Sequence, residues 1–529
     1  MLKIHDLPWA GRGMGPGQIG DPDGSGADND DATEPSTILF WDDFYLNRYE
    51  NLTREIGQPQ LVPEATIEEP GFWLGSGYPT VFRDEESGVW RCEYNGKSTV
   101  PGEQPDSYAL VAESPDGIHW EFPDLSAQVP LPYRKYPHQV LVNHQDVPDD
   151  ADDPSLKVHF HQWDCFYDHQ AENPEERVKG FVAGTESPLY TSPDGLRWKR
   201  MEGAECRTEH PDPPSTAFWN HVRGTYVMNA RPTPDAHPRR IAFTETTDWR
   251  TYTEPELIIG ADALDTPLAE IYGMIAFPYA SRFVGLVWIF HCEPPSMFKY
   301  WGGPTDCQLA YSYNGWHFHR SLRTPFIPNT EPGELGAGTM RPHSLVVDED
   351  LQIRIYSSSA RVEHGYHINA YRHTDYPSDR LENDPGDGYD QGAILMHKLR
   401  LDGFYYLKSS SGRGLLGTRG LLWHGGEAYL NVQSGHQVHV QVTDVEGAPI
   451  EGYRFEDCAP FRGDALGWSP RWTGGRGLNE FTGQAIRLEV QLNNARIYAI
   501  RGLFTAMANR ETRTFVQTGE APKRRLGFG

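Results

Sequence analysis

A short turn sequence recurs four times in this chain, and no other feature restricts the fold as strongly. Ser114-Pro-Asp-Gly-Ile-His-Trp120 is repeated as Ser192-Pro-Asp-Gly-Leu-Arg-Trp198, in reduced form as Thr246-Thr-Asp-Trp-Arg-Thr-Tyr252, and more loosely as Ser312-Tyr-Asn-Gly-Trp-His-Phe318. Asp-Gly and Asn-Gly supply the positive φ angles that a tight hairpin turn requires, and the aromatic residue just beyond can pack as the next strand begins. Each copy therefore predicts a hairpin ending one sheet, and repetition at this period signals repeated β units rather than one continuous core.

Strand patterns lie upstream of each copy; Thr80–Phe82, Val89–Tyr94 and Tyr108–Ala112 precede the first. Several strands in a unit of roughly 65 residues match the four-stranded blade of a β-propeller, whose radial repetition leaves only short sheet edges. A fifth unit is expected from Met340–Val347 through Ile353–Tyr356 to His367–Tyr371. After Leu401-Asp-Gly-Phe404 the pattern changes to alternating strands, Glu427–Val432, Gln437–Val442 and Ile486–Leu492, with turn chemistry between them as in an antiparallel sandwich. The expected fold class is all-β, a five-bladed β-propeller over residues 36–400 followed by a C-terminal antiparallel β-sandwich over 401–508. A flexible polar tail is expected over 1–35 and a second tail over 509–529. The 53 Gly and 42 Pro suit many short strands and tight turns and oppose a helical bundle. An irregular sandwich with a recurrent turn is the competing reading.

Charge and hydropathy narrow the function. A formal net charge of −27 would repel a phosphate backbone or an anionic membrane surface, so neither nucleic acid nor membrane is an expected partner. The longest strongly apolar run, Phe283 to Phe290, is far short of the ~20 residues that cross a bilayer. No apolar signal segment follows Met1, so a cytoplasmic location is expected, or secretion if a signal has been removed. Six scattered cysteines without a Cys-x-x-Cys pair read as buried thiols. The absence of a Walker loop, of Gly-x-Gly-x-x-Gly after a strand and of a Gly-x-Ser-x-Gly elbow removes nucleotide-driven and serine-hydrolase chemistry. His159-Phe-His161 and His317-Phe-His319 lack the further ligands of a zinc site, so neither a metal centre nor a cofactor is expected. The acidic run Asp146, Asp149, Asp150, Asp152 and Asp153 offers ligands for a structural calcium, but without an EF-hand glycine it reads first as a solvated loop. The oligomeric state is left open.

A propeller with Ser-x-Asp-Gly-x-x-Trp turns and an appended β-sandwich resembles the glycoside hydrolase superfamily containing the invertase/levanase family (family 32) and the arabinanase/xylosidase family (family 43). Gly77–Asp84 resembles the opening inner strand of blade one, and Trp163–Asp168 with Asn173-Pro174 that of blade two. Ala217–Asn220 and Ala269–Tyr279 resemble those of blades three and four. Val442–Gly452, Arg462-Gly-Asp464 and Ile486-Arg-Leu488 resemble the sandwich of family-32-like proteins. The resemblance implies hydrolysis of a glycosidic bond, furanosides included, in an oligo- or polysaccharide. It also has departures: Tyr78 precedes Pro79 where relatives place an Asp, Pro213–Thr216 stands where a Glu motif introduces blade three, and the Arg-Asp-Pro motif is absent. A non-catalytic carbohydrate-binding propeller and a transglycosylase using the same groups are the alternatives.

Glycoside hydrolysis takes one carboxylic acid to protonate the leaving oxygen and a second carboxylate as base or nucleophile. Asp164 and Glu270 open the inner strands of blades two and four and are the first catalytic candidates; Glu334 and His364 follow, the histidine as proton donor or as modulator of a carboxylate. Asp168 is weighed against a turn role. Arg341 and His343 at the start of the blade-five strand would orient a sugar hydroxyl or a carboxylate, unless Arg341 pairs internally with Glu270 or Glu334. Trp73, Tyr78, Trp163, Trp219 and Tyr272, with Asn220, form the expected substrate-binding wall, because sugar rings stack on aromatic faces; the same rings could fill the space between blades.

Overall fold

All four repeated turns are built alike. The computed structural model describes residues 14–15, 18–19, 36–99, 107–149, 151, 162–183, 188–205, 216–230, 238–280, 282–292, 302–364 and 392–521. The hydroxyls of Ser114, Ser192, Thr246 and Ser312 each accept the N–H three residues on at 2.8–2.9 Å. Asp116, Asp194, Asp248 and Asn314 each accept the N–H groups two and three residues on. Gly117, Gly195 and Gly315 supply the positive φ; in the reduced copy Trp249 takes φ 60° in their place. That conformation costs a non-glycine residue ~1–2 kcal/mol. Trp249 packs its indole on Phe166 and Phe181 of the preceding sheet, and this burial offsets the strain.

The molecule is mostly β-strand. Three four-stranded antiparallel sheets follow one another. The first holds Phe72–Trp73, Thr80–Arg83, Trp90–Ser98 and Ser107–Ser114, the second Gln162–Tyr167, Val178–Ala183, Pro188–Ser192 and Lys199–Glu205, and the third Ala217–Asn220, Thr225–Ala230, Ile241–Thr246 and Glu256–Ile259. In the seven-stranded sheet that comes next, Ala269–Tyr279, Arg282–His291 and Thr305–Ser312 are joined to Thr339–Val347, Gln352–Ala360 and Ala393–Arg400 by one parallel pair, Thr305 with Thr339. The seventh strand is Gln60–Leu61, from near the start of the chain, antiparallel to Ala393–Arg400. His367–Tyr371 of the expected fifth unit lies outside the described residues.

The leading strands Thr80–Arg83, Gln162–Tyr167, Ala217–Asn220, Ala269–Tyr279 and Thr339–Val347 each lie against the next, and the last lies against the first. Buried side chains pin this succession. Asn95 accepts the Trp163 N–H at 2.6 Å, and Asn229 donates to the Met274 carbonyl at 2.6 Å. The Trp288 indole donates to the Pro342 carbonyl at 2.8 Å, and the Ser358 hydroxyl accepts the Tyr78 N–H at 2.7 Å. Leaving such a group unmet in the interior would cost ~1–3 kcal/mol, so the pins fix the spacing of the strands as well as adding stability.

A second seven-stranded sheet runs in the order Phe461–Trp468, Gly420–Thr443, Ala485–Met507, Tyr405–Thr418, Leu46–Glu50, with Ser36–Leu39 added to Ala485–Met507 and Thr53–Ile56 to Tyr405–Thr418. Val438, Val440 and Val442 pair with Leu492, Val490 and Leu488 in one core. The strands within residues 36–56 thus pair with the C-terminal strands, a correction to the boundary expected at residue 36, while Leu39, Trp41 and Ile56 also pack in the core of the first seven-stranded sheet. Asn509–Thr518, expected to be tail, is an α-helix ended by Gly519 at φ 72°. Within the stretch expected as N-terminal tail, Met14–Gly15 pairs with Gln18–Ile19.

Where the two seven-stranded sheets meet, Arg501 donates to both oxygens of buried Asp402, one bond measuring 2.6 Å. Tyr279 and Asn431 donate to the same carboxylate at 2.8 and 2.9 Å. Burial would raise the Asp402 carboxyl, but Arg501 and these donors hold it below the usual carboxylate range.

Candidate active site

Two bulges decide where the central side chains point. The ladder between Ala269–Tyr279 and Arg282–His291 skips Tyr272, and the ladder between Thr339–Val347 and Gln352–Ala360 skips His343. A bulged residue leaves the pairing pattern, and its side chain is re-aimed.

His343 turns towards Asp164. Its Nδ1 lies 3.2 Å from the Pro79 carbonyl oxygen, which can only accept, so Nδ1 carries a proton and Nε2 faces Asp164 Oδ2 at 3.0 Å. The Thr80 hydroxyl lies 3.3 Å from the other Asp164 oxygen and 2.9 Å from the Cys165 carbonyl oxygen, the two acceptors for its one proton. Burial raises the Asp164 carboxyl above its ordinary value, and His343 and Thr80 only partly offset the rise. Asp164, Thr80 and His343 line a cavity of about 80 Å³, with Asp168, Trp219 and Pro278 on its other walls. That volume holds several waters.

Tyr272 is the centre of a second group. Glu270, two residues before it, is ion-paired with Arg239 at 2.7 Å, and both side chains are largely buried. The Arg239 guanidinium lies 5.3 Å from the Tyr272 ring centroid, and the His364 imidazole meets the same ring edge-on at 4.8 Å. Arg341 lies over Tyr272 at 4.2 Å. Its Nη1 donates to Ser76 Oγ at 3.3 Å, while Nε and Nη2 have no hydrogen-bond partner. No carboxylate among the described residues pairs with Arg341, which removes the expected alternative of an internal pair with Glu270 or Glu334.

An aromatic wall links the two groups. Tyr78 stacks on Trp288 at 5.7 Å with an interplanar angle of 12°, and Trp288 lies 6.4 Å from Tyr272 and 5.9 Å from His343. Tyr78 adopts φ 45°, a conformation unfavourable for a bulky residue. Backbone outliers of this kind cluster at functional sites.

The remaining expected residues are dispersed. Glu334 is exposed on a turn that begins at Glu331 and is built by Pro332-Gly333. Trp163 is wholly buried between the first two sheets; its indole donates to Glu93 at 2.9 Å and its ring covers Gly180, where a Cβ would come within 2.0 Å. Asn220 donates to the Asn314 carbonyl at 2.9 Å and accepts from Val222 and Arg223, a turn-building role. Trp73 is half-buried with Lys97 over its ring at 5.4 Å. Trp219 reaches the cavity but packs on Tyr226 at 4.9 Å. Asp168 pairs with Lys179 at 2.6 Å, accepts from Tyr226 and caps the turn at Gln170.

Arg239, Ser76 and Thr80 belong to the site and were not singled out by sequence. Thr80 lay in plain view in Gly77-Tyr-Pro-Thr80, but a hydroxyl in a strand carries no distinctive signal. Among the described residues no group of three or more His, Cys, Asp or Glu is arranged to hold a metal ion, and the described cysteines Cys92, Cys165, Cys292, Cys307 and Cys458 are buried free thiols. His159, His161 and Cys206 lie outside the described residues, as do Asp150, Asp152 and Asp153 of the acidic run. No described helix is long and apolar enough to cross a membrane.

No protein-family model matches the chain, and no curated protein matches it. Among solved structures it is similar to a Bacteroides ovatus glycosyl hydrolase, with 11% identity over 67% of this chain and 97% of that one and a TM-score of 0.41. The α-L-arabinanase of Penicillium chrysogenum complexed with arabinobiose shares 12% identity over 66% of this chain and 99% of its own, at a TM-score of 0.35. The exo-β-1,3-galactanase of Phanerochaete chrysosporium with galactose shares 7% over 82% and 99%, at 0.34. With TM-scores below 0.5, these likenesses bear on neither the chemistry nor the substrate of this chain.

Proposed function

We propose that the protein is a glycoside hydrolase, built as a five-bladed β-propeller with a C-terminal β-sandwich, that cleaves a glycosidic bond in an oligo- or polysaccharide, furanosides included. The observation that carries this reading is a pair of buried carboxylates, Asp164 beside His343 and Glu270 beside Arg239, in the two groups that one aromatic wall links. Burial biases Asp164 towards holding a proton, and the Arg239 guanidinium faces Glu270 at 2.7 Å. Asp164, which faces His343, donates a proton to the leaving oxygen; Glu270 acts as base or nucleophile. The reaction so written needs no cofactor, and a sugar acceptor in place of water would make it a transglycosylation.

One observation favours a second reading, a carbohydrate-binding protein without hydrolysis: both carboxylates already have internal partners, His343 and Arg239. Sugar release from a panel of furanosides, pyranosides and uronides, run beside Asp164→Asn and Glu270→Gln, separates the two. Hydrolysis requires release by the wild type that each variant reduces by a factor of 100 or more, on the order of ~3 kcal/mol in transition-state terms. Silence of the wild type across the panel leaves binding alone.

A further inference from the structure

Arg341 has an unmet edge. The chain carries a net charge of −27, yet among the described residues no carboxylate pairs with this guanidinium, which is 1% exposed. An ion taken out of water is costly to leave uncompensated, and an arginine cannot escape by giving up its proton. Glu270, in the same group of side chains, is engaged by Arg239.

The two unmet groups have a geometry. Nε–H and Nη2–H point the same way from one edge of the guanidinium plane, and together they form the fork that a carboxylate accepts bidentately. Tyr272 holds the plane by its face and Ser76 takes Nη1, so the fork keeps a fixed direction. A sugar hydroxyl carries no charge; even where its two lone pairs accept from both donors, it would leave the cation uncompensated. A carboxylate answers both donors and the charge.

We propose that Arg341 is the receptor for a carboxylate on the ligand, which makes the ligand an acidic saccharide, a uronide. This assignment rests on the carbohydrate reading above and narrows its substrate class.

The test is calorimetric titration of the full-length protein with the methyl glycosides of glucuronic, galacturonic and iduronic acids and with their neutral parents. At least one uronide binds ten-fold or more tightly than its parent sugar. In Arg341→Met the preference falls to within two-fold. Arg341→Lys, which keeps the charge and loses the fork, gives up most of it, with melting temperatures establishing that both variants fold. Equal binding of uronide and parent by the wild type, no binding of any uronide, or a preference that survives Arg341→Met overturns the assignment. Hydrolysis is scored separately. Release from neutral glycosides without uronide preference sinks the carboxylate receptor and leaves the hydrolase; uronide binding without release from any substrate sinks the hydrolase and leaves the receptor.

Discussion

Arg501 and Arg341 are both arginines withdrawn from water, and they are treated in opposite ways. At the meeting of the two large sheets, Arg501 is answered by both oxygens of Asp402, and Tyr279 and Asn431 complete that carboxylate. At the centre of the repeated sheets, Arg341 has one long bond to Ser76 and an aromatic face. The first arrangement is what a fold does with a buried cation when stability alone is at stake. The second leaves a cost in place, and a cost that a fold does not relieve is one that a ligand can.

The difference can be broken or sharpened by experiment. The largest effect is expected from Asp402→Ala, which strands Arg501 without a partner and should lower the unfolding free energy by about 3–5 kcal/mol in denaturant titration. A loss under about 1 kcal/mol would mean that the junction is not held by this pair.

His397 offers a third case, a buried basic group that can discard its charge. Burial lowers its pKa from 6.5 to about 4. Between those values the unfolded chain binds the proton that the folded chain refuses, so stability falls as the pH drops from 6.5 towards 4, by on the order of 3 kcal/mol. His397→Leu should flatten that acid limb in melting curves recorded across the range, whereas an unchanged slope would place the titration elsewhere.

The smallest effect has the opposite sign. Arg341→Met should raise stability by about 1–2 kcal/mol, because an uncompensated ion is exchanged for an apolar chain of similar length. A fall in melting temperature would show that Arg341 is answered within the fold, like Arg501.

Much of the architecture was legible because local chemistry set it. The Ser/Thr and Asp/Asn oxygens that cap the four turns act within three residues, so the repeat could be read before any strand pairing was known. Pairing partners could not be read. Ser36–Leu39 and Thr53–Ile56 look like any short strands, and nothing local says that they join strands more than three hundred residues away. The site divides along the same line. Asp164, Glu270, Tyr272, Arg341 and His343 could be singled out as candidates because they open or follow the starts of leading strands. The bulges that re-aim Tyr272 and His343 come from register, which a sequence does not display. Glu334 falls in Glu331-Pro-Gly-Glu334, itself a turn signature, and Arg239 carries no pattern at all.

The closing strand has a consequence for synthesis. Gln60–Leu61 completes a sheet whose neighbouring strand, Ala393–Arg400, leaves the ribosome more than three hundred residues later. At ~5–20 residues per second, the early segment waits tens of seconds with its backbone donors and acceptors unpaired. Ser36–Leu39 waits longer, for Ala485–Met507. The nascent chain therefore carries open strand edges through most of its translation, and it is then, more than after release, that it is exposed to pairing with the wrong partner.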